Sequence, residues 1–421
     1  MRGLALSLVI ICAGAVSAQT SFTTLKGHGG PIMALDVLPD GGVVTGSFDN
    51  ALGIWTGRAP VWLDGHEAAV TVVLALPDGR VASGSDDFSV RLWTDGAGRV
   101  LGHHLGKVTA LALAPDGALL SGSWDGTIRR WEPDGTEGAA LPAPGAGVND
   151  IAIAADGTIF AATMTGDVLR YPVDGRAPVP LARQGFGVNE LVLGEGWLAY
   201  GAVDGATRVI DANTGADLRD FTLDRRPILA MDHHPQAGLI AVGDGQGYIM
   251  MIDTGDWRIT RDFRAAREGP VWALSFSNEG DVIHAGGIDD VVFSWPVALL
   301  ESFDPAMGQK RSFLRDPEKM SNGERQFMRK CSICHALEPG PSRKAGPTLF
   351  GVFGRDAGSL PGYAYSQTLT GLDIQWTDET IDALFETGPD HYIPGSKMPM
   401  QVISGAQDRA DLIAFLKEAT Q

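Results

Sequence analysis

The sequence predicts a multidomain protein, an all-β array of seven repeats followed by a small all-α domain. Three observations predict it. An aromatic or branched apolar anchor recurs at Trp55, Trp93, Trp131, Tyr171, Ile210, Ile252 and Trp295, at spacings of 38 to 43 residues. Within each repeat, short apolar or alternating runs are broken by turn pairs, which is the pattern of antiparallel strands joined by tight turns. After Trp295 that grammar stops, and apolar residues recur at helical spacing instead. A chain of 421 residues is also too long for one small core.

The first element is the N-terminus. Arg2 precedes an apolar run from Leu4 to Val16, followed by "AVSAQ". A positive start, a short apolar stretch and small residues are the features of a secretory signal, expected to span residues 1–18 with cleavage after Ala18. The run is too short to cross a bilayer comfortably. Cys12 lies within it, so the mature chain is expected to keep only Cys331 and Cys334. The net charge of −18 argues against nucleic acid as a partner, because phosphate binding needs a basic face.

The repeats come next, at residues 19–296. "GSFDNALGIWT", "GSDDFSVRLWT" and "GSWDGTIRRWE" align without gaps, and four looser copies follow. An aspartate stands six residues before the anchor in five copies, at Asp49, Asp87, Asp125, Asp204 and Asp289. "KGHGG" and "DGHEA" precede the first two copies. These features resemble the WD40 repeat family, with copies one to three the better matches. The resemblance implies a seven-bladed β-propeller of four-stranded blades, with "SFTTL" (residues 21–25) as the outer strand of the last blade, hiding its edge. It also implies hydrogen-bonded sets within blades: His28, Ser47, Asp49 and Trp55 in the first, and His66, Ser85, Asp87 and Trp93 in the second. These are blade stabilisers, and no catalytic residue is assigned. The pairs His103-His104 and His233-His234 have no flanking carboxylates at metal-ligand spacing.

Residues 297–316 read as a linker, with mixed charge and no alternation. Residues 317–421 read as helical. Helical spacing joins Met320, Phe327 and Met328. A second helix starts at Thr377, with Thr380 three residues on. A third is expected from Ser404, with Gln407 completing a capping box, and presents Leu412, Ile413, Phe415, Leu416 and Ala419 on one face.

Chemistry concentrates in "RKCSICHAL", residues 329–337. C-x-x-C-H reads as a covalent haem c attachment site. Thiols one helical turn apart can each form a thioether with one vinyl group, which leaves His335 under the iron. A zinc site would need two further ligands at short spacing, and none is present. A redox dithiol would need a βαβ context. A plain disulfide would leave His335 unexplained. A sixth iron ligand can come from "YIPGSKMPM", 63 residues after His335. Methionine with histidine is an electron-transfer pairing, because the soft thioether favours Fe(II).

Residues 319–421 resemble the class I cytochromes c of the mitochondrial and bacterial c2 type. The pieces that carry the resemblance are "GERQFMRKCSICH", "GPTLFGVFGR", "PGYAYS", Trp376, "YIPGSKM" and "DRADLIAFLKEAT". It implies one covalent haem c on Cys331 and Cys334, with iron held by His335 and Met398 and with Met400 as the fallback ligand. It implies that the Pro347 carbonyl accepts the hydrogen bond of the ligating imidazole, and that Arg355, Tyr363, Tyr365, Trp376 and Ser396 hold the propionates. It also places Gly323 and Phe327 where the first helix crosses the last, against Leu412 and Phe415. Leu384 or a neighbour stands where the family often has a pocket tyrosine. Asp390 and His391 replace lysines, and Met400 replaces an aromatic. From residue 317 onward there are 10 Lys and Arg against 13 Asp and Glu. The strongly basic docking face of the mitochondrial type is therefore missing, and Lys330, Arg343, Lys344 and Lys397 are left as a small basic rim.

Together these readings give a periplasmic one-electron carrier, with the propeller docking unknown redox partners and with no membrane span. Two alternatives stay open. One is a propeller oxidoreductase that uses the cytochrome as a relay, for which His103, His104, His233 and His234 are the candidate residues. The other is a redox-sensing scaffold.

Overall fold

The computed structural model describes residues 22–224, 227–266, 269–300 and 319–421. The expected signal peptide and its cleavage point lie outside the described residues, as does the expected linker beyond Leu300. Residues 22–300 form seven sheets in a ring, and the inner strand of each packs against the inner strands of its neighbours. Those inner strands are Ile32–Val37, Val70–Ala75, Val108–Leu113, Val148–Ile153, Val188–Leu193, Ile228–His234 and Val271–Phe276. All pairs are antiparallel. This is the expected seven-bladed propeller.

The ring closes as the sequence predicts. Thr23–Lys26 pairs with Val291–Pro296, the last strand among the described residues, with Thr23 opposite Ser294 and Lys26 opposite Val291. The first segment of the domain thereby completes the last blade and covers its edge. The propeller also continues past Trp295. Val297–Leu299 form a short 3-10 turn, and Leu300 is buried in the same cluster as Trp295.

One blade departs from expectation. The third has three strands, Val108–Leu113, Leu119–Ser123 and Ile128–Trp131, and its outer edge is reduced to a single bridge from Trp131 to Glu137. The segment "ALPAPGAG" that follows carries two prolines, which cannot donate to a ladder, among small residues with little surface to pack.

The hydrogen-bonded sets form, but through a different hydroxyl. In the first blade His28 bonds Asp49 through Nδ1 (3.0 Å) and Thr45 through Nε2 (2.6 Å), and Trp55 Nε1 donates to the same Thr45 hydroxyl (2.9 Å). Ser47 instead donates to the Pro31 carbonyl (2.8 Å). The second blade repeats this, with Ser83 rather than Ser85 between His66 and Trp93. The sheet register explains the shift. Trp55 pairs with Val43, so its indole reaches the diagonal neighbour at position 45 and falls short of 47. The third blade has a set the sequence reading missed: His104 bonds Ser121 (2.8 Å) and Thr127 (2.9 Å), and Trp131 donates to Ser121 (2.9 Å). No Gly precedes His104 to mark it. His233 and His234 bond the backbone carbonyls of Leu193 and Asn278. Three of the four histidines weighed for a propeller cofactor are thus engaged in bonds within the propeller.

Side chains also join the inner strands around the ring. Asp36 accepts from the Ala75 amide, Asp150 from Leu191 and Asp232 from Phe276. Thr71 and Thr109 donate to the carbonyls of Val108 and Val148, and Asn149 and Asn189 to those of Val188 and Ile228. Protein surrounds these carboxylates, and burial pushes Asp36 and Asp150 up to about 7 despite the amides that favour the ionised form. A carboxyl raised in the folded state contributes most stability below its unfolded value near 4, and that contribution is lost as pH rises through 7. The buried, neutral His104, His233 and His284 act in the opposite direction below about pH 6.5. The comparison with a single variant isolates the carboxyl. Asp36→Asn, which mimics the protonated acid, is expected to gain in melting temperature on the wild type by a few degrees between pH 5 and pH 8, on the order of 1 kcal/mol. A difference that stays flat across that range rules out the raised carboxyl.

The C-terminal domain has five helices: α1 (Asn322–Lys330), α2 (Gln367–Thr370), α3 (Asp378–Thr387), α4 (Pro389–Tyr392) and α5 (Ala406–Ala419). Ser321 caps α1, and the Thr377–Thr380 capping box opens α3. The box expected at Ser404 does not form. α5 starts at Ala406 after Gly405 with no side-chain cap. Arg409 in its first turn instead donates to Asp382 (2.8 Å), Glu386 (3.1 Å) and the Ile403 carbonyl (3.0 Å), and so ties α5 to α3. α1 crosses α5 at Gly323, where a Cβ would meet the Asp411 carbonyl and the Phe415 side chain. Phe327 and Phe415 pack with ring centroids 5.6 Å apart.

Candidate cofactor site

The site is built on the end of α1. Cys331 terminates the helix, its amide bonded to the Phe327 carbonyl. One more turn follows, in which the amides of Cys334 and His335 both reach the Cys331 carbonyl (3.0 and 2.9 Å). That turn presents both thiols and the imidazole to one cavity. Both cysteines are free. Burial pushes the Cys331 thiol up to about 12 and raises Cys334 in the same direction, so both stay protonated.

His335 Nδ1 lies 2.7 Å from the Pro347 carbonyl. A carbonyl only accepts, so Nδ1 carries the proton. Burial lowers the pKa of His335 and keeps the ring neutral, which leaves the Nε2 lone pair for a metal. The loop that supplies Pro347 can lie this close because residue 346 is glycine. A Cβ there would come within 2.5 Å of the imidazole Cε1.

The cavity is about 420 Å³. All ten residues singled out from the sequence line it: Cys331, Cys334, His335, Pro347, Arg355, Tyr363, Tyr365, Trp376, Ser396 and Met398. Met400 does not. It is half-exposed, and its sulfur is positioned against Gly388. The polar side chains are themselves held in place. Arg355 donates to the carbonyls of Phe350 (3.1 Å) and Thr348 (3.0 Å), and the Tyr363 hydroxyl donates to Ala345 (2.5 Å). Tyr365 packs edge-on against Tyr363, and the Ser396 hydroxyl accepts from the Met398 amide (3.1 Å). Much of the rest of the wall on the cytochrome side is apolar, with Leu349, Ile381, Leu384, Phe385 and Ile393 among its residues. Leu384 therefore stands in the pocket as the sequence reading placed it.

One part of the wall lies beyond the reach of sequence reasoning. Phe48, Glu67, Ala68, Ala69 and Asp86 of the first two blades also line this cavity. The domains meet at the basic rim. Arg343 forms an ion pair with Asp64 and stacks over Trp62, 4.0 Å from the ring centroid. Lys397 pairs with Glu67 (3.1 Å), and Lys344 reaches the Gly29 carbonyl (3.4 Å).

Two protonated thiols, a neutral imidazole with a free Nε2, a thioether and an apolar wall with a few fixed donors make a donor set suited to a covalently attached haem. The class is therefore a haem protein carrying a propeller.

Comparison with known proteins agrees. Residues 320–420 match the cytochrome c family, and residues 19–56, 60–94 and 98–132 match the WD domain, G-beta repeat. Cytochrome c of Sesamum indicum is 44% identical over 105 residues, covering 25% of this chain and 93% of that protein. Cytochrome c of Theileria annulata is 45% identical over 105 residues, covering 25% and 87%. Cytochrome c of Gibberella zeae is 39% identical over 102 residues, covering 24% and 95%. Through its C-terminal domain, the chain belongs to the cytochrome c family. That domain carries a covalently bound haem c with its iron, and its activity is electron transfer.

Proposed function

We propose that this protein is a periplasmic one-electron carrier, exported by the signal read at residues 1–18, whose propeller docks a redox partner. Cys331 and Cys334 would anchor one haem c by thioethers, and His335 and Met398 would hold its iron. Bound there, the haem supplies a reversible Fe(III)/Fe(II) couple. The chain's own residues set its conditions. Pro347 fixes the imidazole tautomer, and the apolar wall excludes water. Arg355, Tyr363, Tyr365, Trp376 and Ser396 would hold the haem's carboxylates, which need donors once buried, and Tyr363 would do so by redirecting the proton it gives to Ala345. With His335 and Met398 both committed to the iron, no position would remain on it for a substrate. The observation that carries the reading is the convergence of all ten residues on one cavity, with His335 Nδ1 on the Pro347 carbonyl. The WD-repeat propeller supports a protein-interaction role, and among the described residues no helix is long and apolar enough to cross a membrane.

The test is an optical spectrum, oxidised then reduced, of protein matured in a periplasm that attaches haem. One haem per chain is expected, low-spin in both states, with the weak ferric sulfur-to-iron band and no second chromophore. A high-spin haem that takes up carbon monoxide readily would reject the closed-site reading, and a second chromophore would favour a propeller oxidoreductase.

A further inference from the structure

The contact between the domains falls on the rim of the haem cavity itself. Four features define it. First, the charges are complementary: Arg343 and Lys397 on the cytochrome face Asp64 and Glu67 on the propeller. Second, Trp62 stacks on the Arg343 guanidinium. Third, the propeller approaches the 343–344 backbone at a glycine, where a Cβ on Gly29 would collide with the Arg343 carbonyl group. Gly29 is not among the glycines with positive φ, so only this close approach excludes a side chain there. Fourth, residues of the first two blades, Phe48, Glu67 and Asp86 among them, line the same cavity.

We propose that the face of the first two blades is the docking surface for the haem-edge rim of the same chain, and that an external redox protein reaches that rim only by displacing the propeller. The proposal rests on the reading of the domain as an electron carrier. The bonds suit a reversible dock. Both ion pairs are partly exposed, so each is weak and screened by salt. Tethering makes up for weak bonds by holding the partner at high effective concentration. Eighteen residues, 301–318, join the two domains in the sequence, so the two faces are tethered partners of one chain. No electron moves in the docking itself. With the rim free, a haem bound there would accept one electron from an external one-electron donor, which would be oxidised.

The test uses the full-length holoprotein, with Lys397 labelled by an amine-reactive reagent and read by mass spectrometry, alongside the radius of gyration from small-angle scattering. At about 20 mM salt the wild type is expected to label Lys397 on the order of tenfold more slowly than Glu67→Lys or Gly29→Leu, and both variants should have a larger radius. At about 0.5 M salt the wild type should approach the variants. Equal labelling and equal radius in all three proteins at low salt would overturn the proposal. Each protein is also cycled with a small reductant and oxidant. Failure of the wild type to cycle between ferric and ferrous forms would reject the carrier reading instead, and the labelling result would stand apart from it.

Discussion

Met398→Ala is expected to open the sixth iron position. The ferric sulfur-to-iron band should vanish and the ferrous haem should become high-spin and bind carbon monoxide. The midpoint potential should fall by on the order of 0.1 V, a fraction of the roughly 0.8 V over which axial ligands tune haem. The cause is the soft thioether, which stabilises Fe(II) over Fe(III). Met398 lines the cavity, while Met400 is half-exposed with its sulfur against Gly388. Met400→Ala should therefore leave spectrum and potential unchanged. Spectroelectrochemical titration of both variants decides the point. If Met400→Ala lowers the potential and Met398→Ala does not, the ligand assignment moves to Met400.

The second large effect is expected at the crossing of α1 and α5. Gly323 sits in the first turn of α1, and a Cβ there meets the Asp411 carbonyl and Phe415. The backbones touch, so no side chain can move aside to make room. Gly323→Leu should cost about 3 kcal/mol or more, at or beyond the upper end of overpacking in a well-packed core. Gly323→Ala separates two causes of opposite sign. Helix propensity alone would stabilise it by about 1 kcal/mol, whereas the backbone collision destabilises it. Denaturation followed by haem absorbance, which reports the cytochrome domain, should show Gly323→Ala less stable than wild type. The propeller transition, followed by fluorescence from the nine of ten tryptophans that lie there, should not move. A stabilised Gly323→Ala would mean that the helices do not cross at this residue.

The cytochrome site was largely legible because its chemistry is local. Cys331, Cys334 and His335 sit within one turn, and covalent attachment demands that spacing. Met398, Pro347 and the polar donors are distant in sequence, and it was the resemblance to class I cytochromes c that brought them together. The propeller was legible as a period, because each blade must repeat the same strands and turns. Its errors are equally physical. Period-two alternation puts Thr45 and Ser47 on the same face, and only the pairing of Val43 with Trp55 decides which hydroxyl the indole reaches. His104 lacked the preceding glycine, so the third set went unseen. Ser404 and Gln407 fit a capping box, yet α5 starts two residues later, where Arg409 bonds α3 and the Ile403 carbonyl.

By itself, then, the sequence determined a repeating β domain ahead of a helical one, and the thiol-imidazole motif that defines the second. Periodicity and short-range spacing write such features directly into the order of residues. Tertiary structure alone decided what lies across from the haem-edge rim. Asp64, Glu67 and Gly29 stand more than 270 residues from Arg343, Lys344 and Lys397 in the chain. No local pattern encodes a contact between surfaces that meet only after each domain has folded.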